Sequence, residues 1–175
     1  MSRRLLIGLA AAAPALALAI STVVAAPPQQ PRNFVAPLSG AEEVLEGVVG
    51  NDTRARGVAI FQLSADGTEL SYRLIASNIQ NITQAHIHCC AGPGSNAGVS
   101  VFLYPDAPPA QLIPGRHSGV LATGTITAAD VLNPVLLTSA EDRLAALVEQ
   151  IVAGNTYVNV HTSQLPGGEI RGQLD

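Results

Sequence analysis

The residues best equipped for chemistry are concentrated in one stretch, Gln84-Ala85-His86-Ile87-His88-Cys89-Cys90. It holds two of the four histidines of the chain and both of its cysteines. A third histidine, His161, closes a similarly alternating run, Tyr157-Val158-Asn159-Val160-His161. Successive side chains of an extended strand point to opposite faces. Gln84, His86 and His88 therefore share one side, and Ala85, Ile87 and Cys89 the other. Tyr157, Asn159 and His161 are likewise set against Val158 and Val160. With the apolar sets facing a core and the two runs near each other, all three histidines land on a shared polar face, the expected working surface. A His-x-His pair plus an imidazole from a neighbouring strand is a three-nitrogen ligand set for copper or zinc. The metal-site expectation is thus His86, His88 and His161. Neutral imidazole is the ligand, so binding would weaken below about pH 6.5. Glu169 is a candidate ligand or hydrogen-bond acceptor beside the set, whereas Arg171 would oppose a cation. The competing reading is that the rings are merely solvated or bonded to neighbours, because His-x-His alone is a weak pattern. His117 falls in a proline-rich stretch and is expected at the surface.

Cys89 and Cys90 have no third cysteine to pair with, so no long-range disulfide can staple the chain. A vicinal disulfide, intermolecular pairing, soft-metal ligation beside His88 and two buried thiols all remain open. Catalytic patterns are sparse. There is no Gly-x-Ser-x-Gly elbow, no phosphate loop and no His-Glu-x-x-His, and the acidic residues are scattered. Asn51-Asp52-Thr53 and Asn81-Ile82-Thr83 are glycosylation sequons, meaningful in a eukaryotic source.

Short strands must position these residues. Asn33 to Ser39 reads as a first strand, confined to an edge by Pro37 and therefore a candidate surface for protein association. Ala41 to Asn51 reads as a loop or a short bulged strand. Ala55 to Ser64, an Asp66-Gly67 turn and Glu69 to Ala76 make a hairpin. Further strands are expected at Ile82 to His88, Val99 to Tyr104, Gly119 to Thr127, Asn155 to Thr162 and Gly168 to Leu174. Cys90 to Gly98 reads as a loop, and Pro105 to His117 as an irregular excursion. Thr127 to Asp130 has the form of a capping box opening a short turn that Pro134 stops. Ser139 to Val152 reads as a helix capped by Ser139 and closed by Gly154, with Leu144, Leu147, Val148 and Ile151 on one apolar stripe.

The chain has 175 residues, 47% of them hydrophobic and only 3% aromatic. That suits one domain with an aliphatic core. All nine basic residues are Arg, and the net charge is -4. With no basic cluster, nucleic acid is excluded as a partner. Arg3 and Arg4, the apolar run Leu5 to Val24 and the small residues before Ala25 form a signal-peptide pattern, residues 1–25. An uncleaved anchor is the alternative, since the run is close to the roughly 20 residues that span a bilayer. Cleavage would take the charge from -4 to -6. Residues 26–33 are a Pro-rich linker, and no second apolar span of that length follows. The expected location is secreted, periplasmic or in the cell envelope.

Four segments carry a family resemblance in their order. They are Phe34-Val35-Ala36-Pro37-Leu38-Ser39-Gly40-Ala41-Glu42-Glu43-Val44, then Ala85-His86-Ile87-His88, then Gly154-Asn155-Thr156-Tyr157-Val158-Asn159-Val160-His161-Thr162, and finally Pro166-Gly167-Gly168-Glu169-Ile170-Arg171-Gly172-Gln173-Leu174. The set resembles the CHRD domain, first described in chordin, over residues 34–175. The resemblance implies an all-β, immunoglobulin-like antiparallel sandwich or barrel, here with one short helix before the last two strands. It also implies an exported, non-enzymatic binding module with an unknown protein or envelope partner. The layout of the three histidines is also similar to the copper ligands of copper/zinc superoxide dismutase, which makes copper or zinc binding the alternative function. Where the family commonly has glycine two residues after the second histidine, this chain has Cys90.

Overall fold

The computed structural model describes residues 31–132, 139, 140 and 142–175. The expected leader, most of the expected linker and the expected helix stop at Pro134 lie outside them. Nine strands and one α-helix follow in chain order: β1 (Asn33–Ser39), β2 (Val44–Leu45), β3 (Val48–Val49), β4 (Arg56–Leu63), β5 (Leu70–Cys89), β6 (Gly98–Tyr104), β7 (Ile113–Ile126), α1 (Arg143–Val152), β8 (Thr156–Thr162) and β9 (Ile170–Gln173). The main sheet runs β4-β1-β9-β8-β5, and β5 pairs back with β4. That closure makes a five-stranded barrel. β6 and β7 extend from β5 outside the ring, and β2 and β3 form a separate small hairpin. Among the described residues the chain is mostly β, as expected, with one α-helix, α1, roughly where it is expected; the sheet closes as a barrel with extra strands.

Strand alternation directs the apolar set inward. Phe34, Ala36 and Leu38 of β1, Ala59 and Phe61 of β4, Ala85 and Ile87 of β5, and Val158 and Val160 of β8 are all buried in one core. Burial of each large aliphatic side chain contributes roughly 1.5–3 kcal/mol. The helix adds Leu144, Leu147, Val148 and Ile151, the expected stripe, to the same core. It starts at Arg143, four residues after the expected Ser139 cap. Asp142 occupies the N-cap instead, and the Ser139 hydroxyl donates to its carboxylate at 2.6 Å. The Asp66-Gly67 turn forms as expected, with Gly67 at φ +75° and the Asp66 carboxylate accepting from Ser64 and Thr68.

Three expectations about the strands are corrected. The segments expected as two strands, Glu69 to Ala76 and Ile82 to His88, are one 20-residue strand, β5. Asn78 and Asn81, at φ +54° and +53°, interrupt its register with β7 without ending it. Asparagine visits the left-handed region at small cost, so this signal produces bulges and a bend where a turn could have formed. The strand thereby changes partners, from β4 and β7 in its first half to β6 and β8 in its second. The second correction concerns Pro37, which does not leave β1 at an edge. β1 lies between β4 and β9, meeting β9 through the single bridge Ser39 to Arg171. There Gly172 fits against the Pro37 carbonyl, where any side chain would collide. Val35 and Asp175 also exchange backbone hydrogen bonds, so this strand has no free side for association. Third, β7 begins at Ile113, inside the expected excursion, and carries His117 opposite Ile79.

Candidate metal centre

β5 and β8 are antiparallel neighbours, with His86 opposite Asn159 and Gln84 opposite His161. Register and alternation thus bring His86, His88 and His161 to the outer face of the barrel wall. One ligand atom from each lies within 4.8 Å of the others. The three sequence-predicted site residues are therefore together, while His117 bonds only the Gly119 carbonyl, at 3.3 Å.

The polar face that the histidines share is covered, which removes the competing reading of solvated rings. His86, His88 and His161 are only 3%, 8% and 6% exposed, and Arg171 and Glu43 only 1%. The outer face of β8 and β9 is roofed by chain segments that carry little periodicity. Asn96 donates to the Val44 carbonyl at 3.0 Å, tying the segment before β6 to the hairpin. Arg171 donates to Asn96 Oδ1 and to the Ser95 carbonyl, at 3.0 and 2.8 Å. Its guanidinium carbon sits 3.4 Å from the centre of the Tyr157 ring, which stacks on His88 with centroids 4.7 Å apart. A cation over an aromatic face is attracted by the ring quadrupole. Arg171 thus spends its charge on Tyr157 and the roof.

The ring protons can be assigned from the partners. His88 Nδ1 lies 2.9 Å from the Ala97 carbonyl, and His161 Nδ1 lies 2.9 Å from the Pro166 carbonyl. A carbonyl oxygen only accepts, so both Nδ1 atoms carry hydrogen. In the neutral rings Nε2 is then a bare lone pair. These two Nε2 atoms lie 3.0 and 2.9 Å from the same oxygen, Asn159 Oδ1. His161 Nε2 is also 3.2 Å from His86 Nδ1. His86 Nε2 is buried without a hydrogen bond, and its ring packs edge-on against Phe102 at 4.9 Å. His86 Nδ1 is therefore the donor in its contact with His161 Nε2, whereas His88 Nε2 and Asn159 Oδ1 face each other as two acceptors.

Burial keeps these rings neutral. It pushes His86 down to about 3, helped by the charges of His161 and His88. It pushes His161 down to about 4, against the bond to Pro166 and with a further push from His88. His88 is lowered by burial too, partly offset by its bonds to Ala97 and Asn159. Desolvation disfavours imidazolium, and neighbouring imidazoles repel a second charge. At neutral pH all three are in the form a metal ion binds.

Glu169, the expected neighbour, is elsewhere. Its carboxylate accepts from Thr53 at 2.6 Å and Thr162 at 2.8 Å. The carboxylate that serves this centre is Glu43, which the sequence reading passed over. Glu43 Oε1 accepts from the Val44 N–H at 3.0 Å. Its Oε2 is buried and makes no hydrogen bond among the described residues. Oε2 and Asn159 Nδ2 both flank the bare Cα of Gly168, where a Cβ would strike the carboxylate. Burial raises the Glu43 pKa, outweighing the Val44 N–H, Arg171 and Asn159, which lower it. The signal that could have found Glu43 is its place in the opening segment of the family pattern.

The remaining open points resolve locally. Cys89 and Cys90 form a vicinal disulfide at the end of β5. In the sequons, Asn51 Nδ2 donates to the Glu169 carbonyl and Asn81 Oδ1 accepts from Gly115, so both amides are in internal bonds. Among the described residues no helix is long and apolar enough to cross a membrane. The family model of the CHRD domain matches residues 34–174. Neither a curated protein nor a solved structure matches the chain.

Proposed function

The chain belongs to the CHRD family, and on that premise we propose that it is an exported binding module whose histidine cluster holds a copper or zinc ion. The observation that carries the metal reading is the proton assignment. His88 and His161 each give their Nδ1–H to a backbone carbonyl, at 2.9 Å in both cases, and turn a bare Nε2 toward the other ring. Metal-binding histidines characteristically donate their second nitrogen in this way, which fixes the tautomer and aims the lone pair. Three neutral nitrogens with a dry surround suit zinc or copper, both of which accept imidazole.

Export rests on the signal-peptide pattern of residues 1–25, followed by the linker 26–33 and the domain 34–175. The adjacent cysteines, joined to each other, are in keeping with an oxidising compartment. The N-terminal residue of protein recovered from medium or envelope tests this: Ala26 supports cleavage, and an intact Met1 overturns it.

The metal reading is tested by copper and zinc content of the purified protein, with and without reconstitution, beside His86→Ala/His161→Ala. Near-stoichiometric metal in the parent, lost in the variant, is expected. Added ion should also raise the parent's melting temperature, since a ligand at about 100 times its Kd adds about 2.7 kcal/mol. No uptake and no thermal shift would overturn the reading and leave a module that binds through other surfaces.

A further inference from the structure

We infer that Asn159 supplies a fourth donor to this centre through Oδ1, held in place by Glu43, and that the centre is therefore built for a divalent ion, zinc or cupric, over cuprous copper. The inference rests on the metal reading above and deepens it.

The starting point is a conflict among acceptors. Asn159 Oδ1 lies 3.0 Å from His88 Nε2 and 2.9 Å from His161 Nε2. Neither nitrogen carries hydrogen, because the other nitrogen of each ring must donate to a carbonyl. Three lone pairs thus face one another at hydrogen-bond distance in a buried site, which is repulsive unless something positive lies between them. His86 Nδ1 lies 3.2 Å from His161 Nε2 and donates to it in the metal-free ring; moving that hydrogen to the unbonded Nε2 would free Nδ1 as a further ligand. The separations of 2.9, 3.0 and 3.2 Å are near those of adjacent donors around one ion, and the three imidazole atoms lie within 4.8 Å of one another. Bonds of about 2.0–2.2 Å place neighbouring ligand atoms roughly 3.0–3.5 Å apart.

The amide could escape the conflict by turning over, so that Nδ2 donates to both imines. What holds it the other way is Glu43. Its buried Oε2 and Asn159 Nδ2 lie together beside Gly168, and the amide is among the groups that favour the charged carboxylate. A turned amide would bring an oxygen against that carboxylate. The order Glu43, Asn159, ion reproduces with an amide the carboxylate–histidine–metal arrangement of zinc sites. An ionised Glu43 would set one negative charge behind an otherwise neutral donor set and so partly compensate a dication. A carboxamide oxygen is a hard donor, and among the described residues no thiolate is offered, because the two cysteines are joined in a disulfide. Soft donors select cuprous copper, and hard oxygen mixed with imidazole suits zinc and cupric ions.

The experiment is zinc affinity by competition with a chromophoric chelator, together with the electron paramagnetic resonance spectrum of the cupric protein. It compares the full parent chain with Asn159→Ala, Asn159→Asp and Glu43→Gln. Asn159→Ala should weaken zinc about 10–100-fold and change the cupric spectrum while nitrogen coupling from the histidines persists. Asn159→Asp, which keeps an oxygen and adds charge, should bind zinc as tightly as the parent or more so. Glu43→Gln should weaken zinc less than Asn159→Ala. Cuprous affinity should change little in all three variants. Should Asn159→Ala fail to fold, Asn159→Asp decides alone, because an amide donating to both imines would make aspartate weaken zinc. An unchanged zinc affinity and cupric spectrum in Asn159→Ala overturns this inference but not the three-histidine site. A parent chain that takes up neither ion overturns both.

Discussion

The two halves of β5 have similar inner faces and very different outer ones. From Leu70 to Ala76 the strand alternates, with Leu70, Leu74 and Ala76 buried while Ser71 and Arg73 are exposed. From Ala85 to Cys89 every residue is buried. Inward, both halves supply aliphatic side chains to the same core. Outward, the first half meets solvent, whereas the second lies under the segments that carry Glu43, Ser95 to Ala97 and Pro166. A strand face becomes a site when it is covered. The cover buries the rings, holds the imidazoles neutral, consumes the Nδ1 protons of His88 and His161 and aims their Nε2 lone pairs at Asn159 Oδ1. Histidines on the first half of the strand would stay hydrated and titrate near their ordinary value.

The largest effects of substitution should be shared by the two halves. Leu74→Ala and Ile87→Ala remove fully buried side chains from one core, and each should cost about 2–5 kcal/mol in urea unfolding. A large cost at one position and none at the other would break the claim that their inner faces are alike. Outward, the halves should part. Arg171→Ala strips Asn96 Oδ1 and the Ser95 carbonyl of a charged donor and uncovers Tyr157, for a loss of about 3 kcal/mol. Arg73→Ala, on the open half, should stay within about 0.5 kcal/mol.

Acid should report the covered half alone. The folded pKa values of His86 and His161 lie at about 3 and about 4, below the unfolded value of about 6.5. Between these limits the unfolded chain binds more protons, so stability rises with pH there. The metal-free protein should hold its full stability above about pH 6.5 and lose about 6 kcal/mol by pH 4, about 3 from each of the two rings. In His86→Gln/His161→Gln this acid limb should flatten, as urea midpoints across pH would show. A small effect concerns the carboxylate that sequence spacing favours. Thr53→Val removes one bond to Glu169, of 2.6 Å, and should cost about 1 kcal/mol with metal uptake unchanged. Altered uptake would put Glu169 back into the site.

Much of this was readable from alternation. Ala85, Ile87, Val158 and Val160 point inward and the histidines outward because a strand has period two, whatever surrounds it. The pairing of His86, His88 and His161 was readable as well, since both runs carry the same pattern. Two signals misled. Asn78 and Asn81 look like a break between strands, but asparagine in the left-handed region also makes a bulge, and pairing with four other strands kept β5 continuous. Pro37 looks like an edge marker. β9 approaches at that point with Gly172 and meets β1 through a single bridge, so the missing N–H is tolerated in an internal strand.

The sequence by itself determined the β class, the aliphatic core, the helix stripe and the side of the wall on which three imidazoles stand, because these follow from composition and from periods of two and 3.6. Tertiary structure alone decided that this side is dry. Glu43 reaches Asn159 from 116 positions away in the chain, and Ala97 and Pro166 offer backbone carbonyls, which carry no mark of residue type. Contacts made through backbone oxygens and across such separations leave no periodic trace. The donor set at the centre, and the neutrality that lets it bind an ion, therefore belong to the folded chain.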